Sequence, residues 1–379
     1  MIKKYLLSVF TVLIAIVLCA CQSTSQTQEK KAKEETHNKE ENIYAKKRSS
    51  GQKDWVEYKG DVAHIFFHPL ITDPKVAFTG EANQAKGNND WMITVEEFKR
   101  SLDELYKHQY ILIDPHDAYD FNSKPIKKKS LKLPKGKKPL ILSIDDMNYY
   151  EYMRGNGYAD RLVLDKYNHV VSQTKGKDGK FTQSESNDIV PILNRFVKEH
   201  PDFSLNGQKG VVGLTGYNGV LGYRTNELDS KDYSKRKEQA IKVANAMKRD
   251  GWTFASHSWG HIDFANSSYD RIVKDTERWK KEVTPIIGKT DLFIFPHGAQ
   301  DRGSAGYQYL ENKAGFKFLA RVGPNNFTDI GEDSVYQDRI AIDGLNLYDF
   351  KYKLKPFVNP DKVYSKEDRS YFKGEKGYK

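Results

Sequence analysis

From about residue 54 onward, short continuous apolar runs alternate with stretches whose apolar positions recur every three or four residues. Val62-Ala-His-Ile-Phe-Phe-His68 reads as a first strand. Thr94 to His108 sets Phe98, Leu102 and Leu105 on one helical face, and Tyr110 to Ile113 reads as the next strand. Leu140 to Ile144, Gly210 to Thr215, Trp252 to Ser256, Asp291 to Phe295 and Phe316 to Val322 have the same apolar, strand-length character. Helical periodicity fills the gaps: Asn187 to His200, Lys235 to Asp250, Ser268 to Ile287 and Gly306 to Ala314. Repeated β-α-β units predict an α/β fold with a parallel sheet, and about seven strands favour closure into a barrel. One region breaks the rhythm. Alternating residues from Arg161 to Ser172 flank Asp165 to Asn168 and predict a β-hairpin, within an insertion at about 147–187. It is either decoration or part of a binding surface.

The N-terminal pattern is different. A charged start is followed by an apolar run from Tyr5 to Ala20, the layout of a secretory signal. The run ends in Leu18-Cys19-Ala20-Cys21, which resembles a bacterial lipobox, although Cys19 departs from the usual small or β-branched residue. That resemblance implies cleavage after residue 20 and lipidation of Cys21. The alternative is an uncleaved anchor helix, for which the run is short. Residues 21–53 are polar and charged and read as a disordered tether. Residues 54–379 then form the folded domain, with a C-terminal extension at about 323–379, rich in Lys and Tyr, left unassigned. Either reading places the body outside the cytoplasm, lipid-anchored to the membrane in the first.

Composition adds two constraints. Both cysteines, Cys19 and Cys21, lie in the leader, so a metal site in the body must use His, Asp and Glu. The net charge is +10, and about +8 once Lys3 and Lys4 leave with the signal. This suits either plain solubility or attraction to anionic envelope polymers and headgroups. No nucleic-acid motif is present in this exported chain, and no protein partner is inferred.

The candidate chemistry sits at strand ends. Asp145 and Asp146 follow the run Pro139 to Ile144. Adjacent carboxylates raise each other's pKa, a cost that is tolerable if one binds a cation and the other handles a proton. Alone, the pair also fits a turn or a helix cap. His257-Ser-Trp-Gly-His261 follows another strand, and two histidines four apart share a face if the chain turns helically there. Two His and one Asp make a three-ligand site with a position left for water. Phe293-Ile-Phe-Pro-His-Gly298 ends a third strand in a tight turn that can aim a backbone N–H at an oxyanion.

Ser-Ile-Asp-Asp, His-Ser-Trp-Gly-His and Phe-Pro-His-Gly, in this order and each after a strand, resemble the polysaccharide deacetylases of carbohydrate esterase family four. The resemblance spans about Asp61 to Val322 and implies a distorted (β/α)7-type barrel that removes acetyl groups from N-acetylglucosamine units. It implies Asp145 as general base, and Asp146, His257 and His261 as ligands of a divalent metal, Zn2+ in the first place, with Co2+, Ni2+ or Mn2+ as alternatives. It also implies that the backbone N–H of His297 stabilises the oxyanion. Two features depart from the family pattern: Ile294 stands where an Arg is usual, and no His follows His297. The biofilm poly-N-acetylglucosamine deacetylases take their acid from an N-terminal strand end, which Phe66-Phe-His-Pro69 resembles. That points to His68 as general acid, with His297 as its rival and His64 structural. Arg321 is a candidate for the missing Arg, Asn148, Tyr149 and Tyr150 for the sugar groove, and Trp259 for ring stacking or packing. The implied partner is an N-acetylated glycan. Two other readings stay open: a catalytically degenerate glycan-binding module, and a metal-dependent amide hydrolase acting on another acetylated substrate.

Overall fold

Seven parallel strands pair in simple cyclic order and close on themselves. The computed structural model describes residues 54–299 and 302–375, so Cys21, the expected signal and the whole of the expected tether lie outside the described residues. The barrel strands are β1 (Ala63–Phe67), β2 (Lys138–Ile144), β3 (Gly210–Leu214), β4 (Trp252–Ser256), β5 (Leu292–Ile294), β6 (Phe318–Val322) and β7 (Val335–Ala341). Closure comes from β7 against β1, with Ile340 opposite Ile65 and Ala341 opposite Phe66. Strands buried on both faces need continuous apolar runs rather than alternation, which is how β1, β2 and β3 read.

The expected barrel is present, but one of its strands is not the one expected. Tyr110–Leu112 pairs with the first residues of β2, from Lys138 to Leu140, bridges Ser204 through Leu112, and lies outside the closed ring. The seventh place is taken by β7, inside the stretch left unassigned as a C-terminal extension. Its centre, Gln337-Asp338-Arg339, is polar yet fully buried.

Helices cover the outside: α1 (Val95–Lys107), α2 (Ile189–Glu199), α3 (Tyr233–Arg249), α4 (Tyr269–Glu282) and α5 (Ala305–Asn312). α1 starts at a capping box in which Thr94 and Glu97 bond each other's backbone N–H, and it buries Phe98, Leu102 and Leu105. α4 stops earlier than its apolar pattern suggested: it ends at Glu282, and Thr284-Pro285 opens a separate turn to Ile287. The insertion after β2 is a three-stranded antiparallel sheet. The expected hairpin, Arg161–Leu164 with Val170–Lys175, gains Phe181–Ser184 as a third strand. Asn168 takes φ 65° in the turn.

Candidate active site

The acids, imidazoles and their supports gather at the C-terminal ends of the barrel strands, where α/β barrels place their sites. β2 delivers Asp145, whose N–H donates to Phe67 O at 2.9 Å and so continues the ladder with β1. Asp146 then turns left-handed at φ 61°. A regular strand would send the two carboxylates to opposite sides. The left-handed residue instead allows two adjacent acids to serve one pocket while meeting different partners.

Asp145 is 4% exposed and is gripped by Arg339 of β7, which is fully buried. Nη1 donates to Oδ1 at 2.7 Å and Nη2 to Oδ2 at 2.9 Å, a two-pronged fork. Burial pushes the carboxyl up, but the Arg339 guanidinium, with His257 and His68 adding to it, holds it well below the usual carboxylate range. Arg339 Nη1 also donates to Ser143 Oγ at 3.0 Å, and Ser143 bonds His64 Nε2 at 2.9 Å. His64 Nδ1 meets Gln337 Oε1 at 2.9 Å. The serine that interrupts the apolar run of β2 thus belongs to a polar network inside the barrel. His64 is part of that network, its imidazole held far below its ordinary pKa, chiefly by burial and then by Arg339.

Asp146 faces two imidazoles. Its Oδ1 lies 3.7 Å from His257 Nε2 and 3.8 Å from His261 Nε2, and one ligand atom from each of the three lies within 4.8 Å of the others. His257 Nδ1–H donates to Ile294 O at 2.9 Å, which leaves Nε2 as the bare nitrogen facing Asp146. Burial, offset in part by Asp146, pulls His261 down to about 4, so its ring is a neutral donor at ordinary pH. This donor set, with one tautomer fixed by a carbonyl and the other ring neutral, fits a divalent ion. The Tyr150 hydroxyl donates to Asp146 Oδ1 and meets Thr215 Oγ1 at 3.0 Å.

The His257–His261 segment is not helical. Convergence comes from a loop in which Ser258 and His261 are left-handed, at φ 63° and 51°. Asp275 of α4 clamps it, accepting from Trp259 N on Oδ1 and Gly260 N on Oδ2, both at 2.7 Å. Left-handed backbone in non-glycine residues costs energy, and here it clusters at the site: Asp146, Tyr149, Ser258, His261 and His297.

His68 ends β1 half-exposed, with its buried Nδ1 meeting no hydrogen-bond partner. Its charge bears on both Asp145 and Asp343, a buried carboxylate just past β7 that burial raises to about 6. His297 is exposed, left-handed at φ 57°, its ring 4.4 Å from that of His261 and its Nε2 3.3 Å from His261 O.

Several expected residues have other work. Tyr149 is fully buried and donates its hydroxyl to Asp188 Oδ2 at 2.5 Å, so it packs the core instead of lining a groove. Asn148 is equally buried and bonds the Thr215 backbone with both ends of its amide. Trp259 packs: its Nε1 donates to Glu282 at 2.7 Å, the Arg278 guanidinium lies 3.3 Å over the ring, and a Cβ on Gly216 would fall 2.2 Å from it. Arg321 bonds Asp338 at 2.9 Å and does not reach Asp145. The arginine that does, Arg339, was missed because its strand does not look apolar.

A family model described as polysaccharide deacetylase matches residues 231–319, a segment holding His257, His261 and His297 but not the aspartate pair. No curated protein sequence matches. Among solved structures, the chain resembles the Streptococcus pyogenes deacetylase PplD in complex with acetate, at 12% identity over 77% of this chain and 97% of that one, TM-score 0.42. It also resembles a de-N-acetylase from Aggregatibacter actinomycetemcomitans, at 14% identity over 78% and 99%, TM-score 0.46. A third is IcaB from Ammonifex degensii, at 12% identity over 76% and 94%, TM-score 0.42.

Proposed function

We propose that this protein, which carries the polysaccharide deacetylase match over residues 231–319, is a metal-dependent N-deacetylase of N-acetylglucosamine units in a cell-envelope or extracellular polysaccharide. The observation that carries this reading is the division of labour between neighbours: Asp145 is forked by Arg339, while Asp146 faces the imidazoles of His257 and His261. Asp146, His257 and His261 would hold the ion, Zn2+ first, with Co2+, Ni2+ and Mn2+ suited to the same donors. When bound, such an ion polarises an acetyl carbonyl and makes water acidic enough to attack at neutral pH.

The chain's own groups supply the rest. Asp145, kept ionised and aimed by Arg339, takes the proton from the attacking water. The backbone N–H of His297, in a left-handed turn at the end of a barrel strand, would stabilise the developing oxyanion. His68, with its buried Nδ1 unbonded, gives a proton to the amine nitrogen as the C–N bond breaks, and acetate and a free amine leave. Lipidation at Cys21 would hold the domain at the outer face of the membrane. Among the described residues no helix is long and apolar enough to cross one.

The test is acetate release from a panel of N-acetylglucosamine oligomers and N-acetylated peptides. Release from the sugars supports the proposal, and release confined to peptides overturns it.

A further inference from the structure

A line of buried polar side chains crosses three neighbouring strands of the barrel. It runs from Gln337 of β7 to His64 of β1, on to Ser143 of β2, and back to Arg339 of β7. All four are buried, so the protein and not solvent decides where their hydrogens point.

The sense of the line is set at Val62. A carbonyl only accepts, so the Gln337 atom 3.0 Å from Val62 O is its NH2, which also reaches Thr328 Oγ1 at 3.0 Å. That turns Gln337 Oε1 toward His64 Nδ1 at 2.9 Å, and Nδ1 must carry the hydrogen. Burial and the Arg339 charge keep the imidazole neutral, so Nε2 is bare. The Ser143 hydroxyl donates to Nε2 at 2.9 Å, and its oxygen is left to accept from Arg339 Nη1 at 3.0 Å. The other tautomer of His64 would turn the serine hydrogen against the guanidinium, leaving two buried donors face to face.

The guanidinium depends on this acceptor. Its Nε is buried without a partner, Nη2 goes to Asp145 Oδ2, and Nη1 is shared between Asp145 Oδ1 and Ser143. The Phe66 ring, 4.2 Å away, bears on its face. Among the described residues, Ser143 is the one hydrogen-bond partner of Arg339 other than Asp145. Without it the guanidinium would be steered by the carboxylate that it steers.

We propose that Ser143 is a positioning residue: its hydroxyl, turned by His64 and Gln337, fixes the rotation of the Arg339 guanidinium and so the aim of Asp145 at the attacking water. This role rests on the deacetylase reading above, in which Asp145 takes the proton.

The experiment is kcat and KM for acetate release from an N-acetylglucosamine hexamer, per chain holding Zn2+, with Zn2+ affinity measured alongside. The variants are Ser143→Ala, Ser143→Cys, Ser143→Thr and His64→Phe. Ser143→Ala, His64→Phe and Ser143→Cys, which keeps the size but bonds weakly, should each lower kcat about tenfold, with KM and Zn2+ affinity within about twofold of wild type. Ser143→Thr, which keeps the hydroxyl, should retain most of the rate. Unfolding gives a reading that needs no activity: Ser143→Ala should lower the urea midpoint less in the Arg339→Met, Asp145→Asn background than in the wild type. An unchanged kcat in Ser143→Ala and His64→Phe overturns the role. So does an equal fall in Ser143→Thr and Ser143→Ala, a loss shared by KM and Zn2+ affinity, or an equal midpoint drop in both backgrounds. A wild-type chain that releases acetate from no glycan removes the deacetylase reading and this role with it. An active wild type with unaffected variants removes the role alone.

Discussion

Replacing Arg339 with Ala strikes the hinge between fold and chemistry. The guanidinium is fully buried, makes two short bonds to Asp145, and is the counter-charge of a carboxylate only 4% exposed. Removing one partner of a buried pair costs about 3–5 kcal/mol, because the other charge stays buried without compensation. At about 1.4 kcal/mol per pKa unit, that is roughly two to four units, so Asp145 would escape by binding a proton. The sign follows. In the wild type the carboxyl is depressed, so its contribution is present above its unfolded pKa and lost as pH falls. In Arg339→Ala it is raised, so the deficit is greatest near neutrality and shrinks toward acid. Urea unfolding at pH 7 and near pH 4.5, with acetate release at pH 7, checks this. The double variant Arg339→Met with Asp145→Asn should regain most of the stability and none of the activity. Arg339→Ala that is within about 0.5 kcal/mol of wild type and fully active would refute the reasoning.

Tyr150→Phe removes the hydroxyl that bonds Asp146, and should weaken metal affinity about 10–100-fold in a competing-chelator titration; equal affinity would strip the hydroxyl of that role. His68→Ala should lower acetate release about 10²–10⁴-fold and His297→Ala less; the reverse ranking would hand the acid role to His297. His116 bridges Asp114 at 2.5 Å and Asp291 at 3.0 Å; burial lowers its pKa but the two carboxylates outweigh that and bring it to about 10. Its stabilising effect is therefore complete below about pH 6.5 and lost as pH rises through 10, and because the ring is partly exposed it amounts to only about 1 kcal/mol. His116→Gln should flatten the alkaline loss of stability seen in denaturation from pH 7 to 10; an unchanged slope contradicts this.

The aspartate pair, the two histidines and the Pro-His-Gly turn were legible because each ends an apolar run, and strand ends are where a barrel exposes chemistry. What the sequence hid was polar and internal. Gln337, Asp338 and Arg339 break any apolar pattern, yet each is buried against a partner contributed by distant chain: His64, Arg321 and Asp145. Residue pattern marks a strand by what it removes from water, and a strand that buries ion pairs gives no such signal. Arg321, the candidate for the missing arginine, lies one strand too early and bonds Asp338. Beside it in the sheet, Arg321 pairs in register with Asp338, and the next residue along, Arg339, is the one that reaches Asp145. Tyr149 escapes the expected groove for a related reason: adjacency to a motif says nothing about direction when the backbone turns left-handed at Asp146 and Tyr149, while Trp259 takes the packing role of its two readings.

The most direct measurement is acetate release from N-acetylglucosamine oligomers by the metal-stripped chain, before and after one equivalent of Zn2+ or Co2+, with Asp146→Ala alongside. Activity should vanish on stripping, return with about one ion per chain, and never appear in Asp146→Ala. Full activity in the stripped protein, or in Asp146→Ala, would contradict metal-dependent deacetylation.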